Sequence, residues 1–207
     1  MDQPAEVNQG ERTPMTDAQI RAVTVGDIAP PARIALAEYD PAWPVLYARE
    51  AARIRAALGD RALLLEHVGS TSVPGLAAKP LIDVLLVVAD SADEATYVPH
   101  LEASGYVLWI REPELCEHRL FKGPDTDVNV HVFSPGCPEP QRMLGFRDHL
   151  RRNTDDRHLY ERTKRALADR VWTHVQNYAD AKSAVIDEIL ARAAVTGADR
   201  DQGLRNG

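Results

Sequence analysis

The chain has 207 residues, 44% hydrophobic and 27% charged, with a formal net charge of −7; this supports one folded domain plus extensions and excludes a wholly disordered chain. The acidic balance excludes a general nucleic-acid binder, which needs a basic face, and still allows a local basic pocket. Two cysteines are too few for a disulfide scaffold, no apolar run reaches membrane-spanning length, and the polar start MDQPAEVNQGERTPMTDAQ has no apolar signal core, so the expectation is a cytoplasmic protein.

Residues 1–17 and 196–207 are polar and read as flexible tails around a domain of residues 18–195. Within it, RIALAEY (33–39) is a predicted strand. Asp40 then caps a helix with apolar Trp43, Leu46, Tyr47, Ile54 and Leu58, stopped by Gly59. ALLLEHV (62–68) and LIDVLLVV (81–88) read as buried strands, and ADEATYVPHLEASG (92–105) as a helix. YVLWI (106–110) is a further strand. HRLFKG (118–123) and DVNVHVF (127–133) flank a GPDT turn as a hairpin. From about residue 141 the chain turns helical: MLGFRDHLRRN, then DDRHLYERTKRALAD, then a third helix over about 170–194. The plan is α+β, a mixed sheet followed by a helical C-terminal part.

The stretch EHVGSTSVPGLAAKPLIDVLLVV (66–88) carries the chemistry. Gly69, Ser70, Thr71 and Ser72 follow a strand, where backbone N–H and hydroxyl groups can converge on an anion, with Lys79 within reach. The alternative is a turn whose hydroxyls satisfy its own backbone. The spacing fits neither GxxxxGK[ST] nor GxSxG, so a P-loop and a serine nucleophile elbow are both excluded. Asp83 sits inside an apolar strand. A carboxylate there costs several kcal/mol, roughly, unless a cation, a metal or good donors meet it. A structural ion pair with a Lys or Arg of the helical part stands as the alternative.

Strand alternation places Asp127, Asn129, His131 and Phe133 on one face of DVNVHVF. That row is either solvent-facing or suited to a divalent ion or phosphate, with Asp127 and His131 as its candidate ligands. On the last helix the apolar stripe Val171, Val175, Tyr178, Val185, Ile189 includes Lys182, four residues after Tyr178. Lys182 either snorkels out or meets an anion, Asp83 or a bound phosphate. A zinc set of Cys116, His118, His131 and Cys137 has too short a first spacer. Arg147 and Arg151, one turn apart, face either phosphate or water.

These residues resemble the GrpB family, whose signature EHVGSTSVPGLAAKPLIDVLLVV closely matches. AEYDPAWPVLYARE, His118–Arg119, VHVF (130–133), FRDHLRRNTDDRHLYERTKRALA and YADAKSAVIDEILARA extend the likeness over residues 33–193. The resemblance implies a nucleotidyltransferase-like fold. In it Gly69 and Ser70 would hold nucleotide phosphates, and Asp83 would bind Mg²⁺ with His131 or Asp127 assisting. Thr71, Ser72, Lys79, Tyr178 and Lys182 complete the candidate ligand-binding set. The implied activity is metal-dependent transfer from a nucleoside triphosphate to a small acceptor. The alternative is a non-catalytic nucleotide-binding or protein-interaction module, since similar segments follow dephospho-CoA kinase in certain bacteria. One departure bears on this. Transferases of this fold carry a second acid two residues after the first, where this chain has Leu85; Glu66, Asp127 or His131 would have to replace it.

Overall fold

The computed structural model describes residues 15–26, 34–125 and 127–205. Along the chain they form α1 (Asp17–Val23), α2 (Trp43–Leu58), β1 (Leu64–Val68), β2 (Ile82–Val87), α3 (Val98–Ala103), β3 (Val107–Glu112), β4 (His118–Lys122) and β5 (Val128–Phe133). Four helices follow: α4 (Pro138–Arg152), α5 (Thr154–Ala168), α6 (Val175–Asp180) and α7 (Ser183–Arg205). The strands make one mixed sheet in the order β1-β2-β5-β4-β3. Only β2 and β5 pair in parallel; β1, β4 and β3 join antiparallel. This is the α+β architecture expected.

Alternation sorts the two faces. Ile82, Val84, Leu86, Val128, Val130 and Val132 point to one side, where they form the main core with Ile54, Leu58 and Leu101 of α2 and α3. The other face splits along its length. At one end Leu85 and Phe133 pack with Val68, Cys137 and the α4 residues Met143 and Leu144. At the other end the same face carries Asp83 and Asn129, and a cavity opens over it. Val73 and Leu76 of the loop after β1 pack against Leu150, Tyr160, Val185 and Ile189, tying that loop to the helical part.

Several elements differ from expectation for physical reasons. Residues 34–39 form no strand. Ala37 bridges Ala78 through two hydrogen bonds, and the facing chain is a loop that offers one pair only; Arg33 lies outside the described residues. Asp40 Oδ1 accepts from the Ala42 N–H, two residues on, and so closes the turn before α2 rather than capping the helix itself. The 92–105 helix is divided into a 3₁₀ turn, Glu94–Thr96, and α3, because Pro99 belongs in a first helical turn and clashes inside one. The third C-terminal helix is two, α6 and α7. Periodicity hides the break because Tyr178, Val185 and Ile189 keep one stripe through it, whereas Val171 ahead of it is 73% exposed.

The predicted tails also need adjusting. Residues 1–14 lie outside the described residues. Thr16 forms a capping box with Gln19 at the start of α1, so Met15–Asp17 belong to the domain. At the other end α7 continues past Thr196 to Arg205, because nothing after Thr196 except Gly197 and Gly203 opposes a helix. Residues 206–207 lie outside the description.

Candidate functional site

After β1 the backbone turns at Gly69, φ +68°, into a 3₁₀ turn over Ser70–Ser72. A Cβ on Gly69 would stand 2.3 Å from Asp83 Oδ2, so glycine is what lets the loop press onto the acid. The three hydroxyls then part ways. Thr71 Oγ1 donates to the Leu81 carbonyl at 2.9 Å. Its single proton is thereby committed, so His67 Nε2, 3.1 Å away, is the donor of that contact. Burial agrees, pushing His67 down to about 4 and keeping it neutral. Ser72 Oγ donates to the Gly69 carbonyl at 2.6 Å. Ser72 therefore holds the turn's own backbone and Thr71, also in the cavity lining, ties the turn to the segment leading into β2, while Ser70 lines the cavity beside the Tyr160 hydroxyl.

Two arginines of α4 fasten this loop from behind. Arg151 gives two N–H groups to the Ser72 carbonyl, at 3.1 and 2.7 Å. Arg147 reaches Glu66 at 2.8 Å and the His67 carbonyl at 2.9 Å. Neither lines the cavity; Arg147 is largely buried and engages Glu66, whereas the Arg151 side chain, 39% exposed, also faces water.

The acid lies in a row across three strands. β2 pairs Asp83 with Asn129 of β5, and β5 pairs Asn129 with Lys122 of β4. Lys122 Nζ donates to Asn129 Oδ1 at 2.6 Å, and Asn129 Nδ2 donates to Asp83 Oδ1 at 3.2 Å. His131 Nε2 stands 3.4 Å from the same oxygen. Behind it, His131 Nδ1 meets His118 Nε2 at 3.2 Å, and His118 Nδ1 meets Glu112 at 2.6 Å. The Glu112 carboxylate requires the hydrogen on His118 Nδ1, so His118 Nε2 accepts from His131 Nδ1–H. The Asp83 contact is then a hydrogen bond when the His131 ring carries both protons. Asp83 is 22% exposed, and it faces the cavity. Burial alone would raise its carboxyl; His131, Asn129 and the Lys182 charge hold it below the ordinary range.

The cavity holds about 370 Å³, within the range of small-molecule sites. Four lysines line it: Lys79, Lys122, Lys164 and Lys182. Lys164 is 2% exposed, and its ammonium donates to the Ala77 carbonyl and sits 4.9 Å from the centre of the Tyr160 ring. Lys182 lies 4.5 Å over the Tyr178 ring. Among the described residues none of the four forms an ion pair, and the Asp83–Lys182 pair is a longer-range attraction rather than a salt bridge. Burial depresses Lys122, Lys164 and Lys182, Lys164 to about 7; Lys79 adds to this at Lys122, and Lys182 at Lys164.

Segment 15–26 and α6 close the open side. Thr24 bridges Ile110 of edge strand β3, and Val25 N–H donates to the Trp109 carbonyl. Asp180 accepts from the Met15 N–H at 3.1 Å, and His174 meets Asp17 at 3.0 Å. Among the described residues two buried polar atoms at this strap have no hydrogen-bond partner, Tyr178 Oη and His174 Nδ1. Tyr178 is 4% exposed and lines the cavity. Ile20 of the strap, with Trp109 and Ile110 of β3, adds apolar lining to the cavity.

The donor set does not fit a divalent cation. Among the described residues Asp83 is the one carboxylate lining the cavity. Glu66 is held by Arg147, and Asp127, exposed just before β5, is outside the lining. Leu85 is fully buried against Phe133 and Cys137, so an acid at that position would face a packed apolar cluster rather than the cavity. Among the described residues no three His, Cys, Asp or Glu side chains are placed to hold a metal, and this includes the Cys116–His118–His131–Cys137 set.

The structure thus brings together Gly69, Ser70, Thr71, Lys79, Asp83, His131, Tyr178 and Lys182, and leaves Ser72 and Asp127 outside the lining. Sequence reasoning missed Lys122 and Lys164. Lys164 had a signal, since it follows Tyr160 by four residues as Lys182 follows Tyr178. Lys122 had only strand parity with His118.

Comparison with known proteins is consistent along the chain. The family model described as GrpB protein matches residues 33–192. A UPF0157 protein of Halalkalibacterium halodurans is 60% identical over 194 residues, covering 93% of this chain and 100% of that one. A protein named dephospho-CoA kinase from Mycolicibacterium paratuberculosis is 30% identical over 188 residues, covering 78% of this chain and 46% of that protein. The crystal structure of conserved protein GrpB from Enterococcus faecalis superposes with a TM-score of 0.66 at 32% identity, covering 77% of this chain and 96% of that one. No helix among the described residues is long and apolar enough to cross a membrane.

Proposed function

This chain belongs to the GrpB family, and from that premise we propose that it binds the phosphate chain of a nucleotide, a nucleoside triphosphate, in the cavity over Asp83. The observation that carries this reading is the cavity's charge: four lysines, none in an ion pair, around one carboxylate. Buried ammonium groups without counter-ions are unfavourable, and a bound polyanion relieves them. Ser70 and the glycine turn add donors at the same end. The partial match to a longer dephospho-CoA kinase is in keeping with a module that others carry as an appendage.

Calorimetric titration of the full chain with ATP, GTP, CTP and UTP tests the reading. Saturable heat with at least one is expected, together with a raised melting temperature. No heat and no shift with any of the four would remove it.

A second reading, nucleotidyl transfer to a small acceptor, is favoured by the apolar lining from Ile20, Trp109 and Ile110 and by Tyr178 Oη and His174 Nδ1, which have no hydrogen-bond partner among the described residues. Those two atoms leave hydrogen-bonding capacity for a second group. Pyrophosphate release that depends on an added acceptor class is its signature.

A further inference from the structure

We propose that this cavity neutralises its ligand's phosphates with lysines alone, so that Lys122, Lys164 and Lys182 stand in the role that a divalent cation fills in two-metal sites. The proposal rests on the reading that the cavity holds a phosphate chain. It adds the chemical class of that ligand: a linear di- or triphosphate bound without magnesium.

Three observations converge. First, the second acid position is structurally closed, because Leu85 belongs to the apolar cluster under α4. Second, one oxygen of Asp83 is already engaged on β5, accepting from the Asn129 amide at 3.2 Å with His131 Nε2 at 3.4 Å. Third, the positive groups approach from three directions: Lys122 from β4, Lys164 from α5 and Lys182 from the α6–α7 turn. A terminal phosphate carries about −1.5 to −2 charges, so a triphosphate chain carries roughly four. Lys79, Lys122, Lys164 and Lys182 match that charge, while Asp83 is met by the Asn129 amide and the His131 ring. A divalent cation added to this set would meet four ammonium groups and one carboxylate.

The neutral spacers support the same view. Lys122 and Asp83 do not touch; the Asn129 amide stands between them, accepting from one and donating to the other. Lys164 and Lys182 rest on tyrosine rings and a carbonyl. Each ammonium keeps part of its hydrogen-bonding capacity for an incoming oxyanion.

The test is titration of the full chain with inorganic tripolyphosphate and with ATP, in EDTA and again in excess Mg²⁺. The expected result is binding in EDTA at least as tight as in Mg²⁺. Lys122→Met and Lys182→Met should each weaken it roughly tenfold, the loss of one charge-assisted contact. Lys182→Arg should restore most of the loss. Asp83→Asn should bind as well as the parent or better, because it removes the one negative group. Melting curves of every variant show whether it is folded, and Lys122→Gln replaces Lys122→Met if that variant is not. Binding that appears only with Mg²⁺ and disappears in Asp83→Asn overturns the lysine cage and leaves the phosphate reading standing. Binding that ignores all the lysine substitutions places the ligand elsewhere and overturns the cage. No binding in either condition overturns the phosphate reading and the cage with it.

Discussion

Two carboxylates in this chain contrast. Asp156 on α5 is enclosed by close partners: Arg192 of α7 reaches it through two N–H groups, at 3.1 and 2.5 Å, and His149 of α4 lies 2.6 Å from its other oxygen. The Asn153 side chain caps its backbone N–H. Asp83 on β2 has two weaker donors and four lysines kept at a distance. The first constellation is saturated and joins three helices. The second holds positive charge in excess of its counter-ions. A structural ion pair balances itself, whereas a binding site stays unbalanced until its ligand arrives.

The largest expected effect comes from forcing the second constellation apart. Gly69→Ala places a methyl group at positive φ and within 2.3 Å of Asp83 Oδ2. A side chain in that conformation costs about 1–2 kcal/mol, and moving the loop adds to it, for a total of about 3 kcal/mol in urea unfolding. Phosphate binding should be lost with it. A fully stable variant would show that the loop can withdraw from Asp83 freely. Asp156→Ala comes next. It removes the acid that Arg192, which keeps Glu188, and His149 share, and should destabilise by about 2 kcal/mol. Binding by the folded protein should be unchanged, since Asp156 is remote from the cavity lining. Weakened nucleotide binding in that variant would break the division between the two constellations.

The sequence made the supports of the site legible, and its charge balance much less so. Strands β1, β2, β4 and β5 were readable because each is an apolar or alternating run ended by glycine, proline or a turn. The loop and Asp83 stood out because an acid inside LIDVLLVV needs an explanation. Parity put Asn129 and His131 on one face, and the structure confirms that face. What parity could not tell was which hydroxyl of Ser70, Thr71 and Ser72 turns outward, since that follows from the dihedrals of a 3₁₀ turn. Nor could it bring Lys122 and Lys164 to Asp83, because their approach depends on strand order and on the packing of α5. Leu85 shows the same limit. In sequence it is a missing ligand; in the fold it is a well-packed core residue beneath α4.

Lys164→Met should act in the opposite sense to the first two. Burial depresses this lysine to about 7, below its unfolded value of roughly 10.4. Between those values the unfolded chain binds more protons, so wild-type stability rises with pH across that window, and the penalty is complete below about 7. The substitution removes the penalty along with the bond to the Ala77 carbonyl. It should stabilise the apo protein on the order of 1–2 kcal/mol at pH 6, with the advantage shrinking toward pH 10. Phosphate affinity should fall at the same time. Denaturation at three pH values reads the first effect and titration the second; a variant less stable at pH 6 than at pH 9, relative to wild type, has the sign wrong.

The smallest stability effect with a visible functional consequence is expected at Arg151→Lys. Arg151 touches no part of the cavity lining, yet its planar fork gives two N–H groups to the Ser72 carbonyl and so holds the turn that aims Ser70. Lysine keeps the charge and loses the fork. The pair is partly exposed, so the folded state should lose less than about 1 kcal/mol. Loosening of the loop, however, is felt where preorganisation matters, and phosphate affinity should drop severalfold. Arg165→Lys, a surface substitution that leaves the loop alone, is the control. If both variants bind alike, the turn is held by its own hydroxyls, and the arginines behind it belong with the saturated constellation around Asp156 rather than with the site.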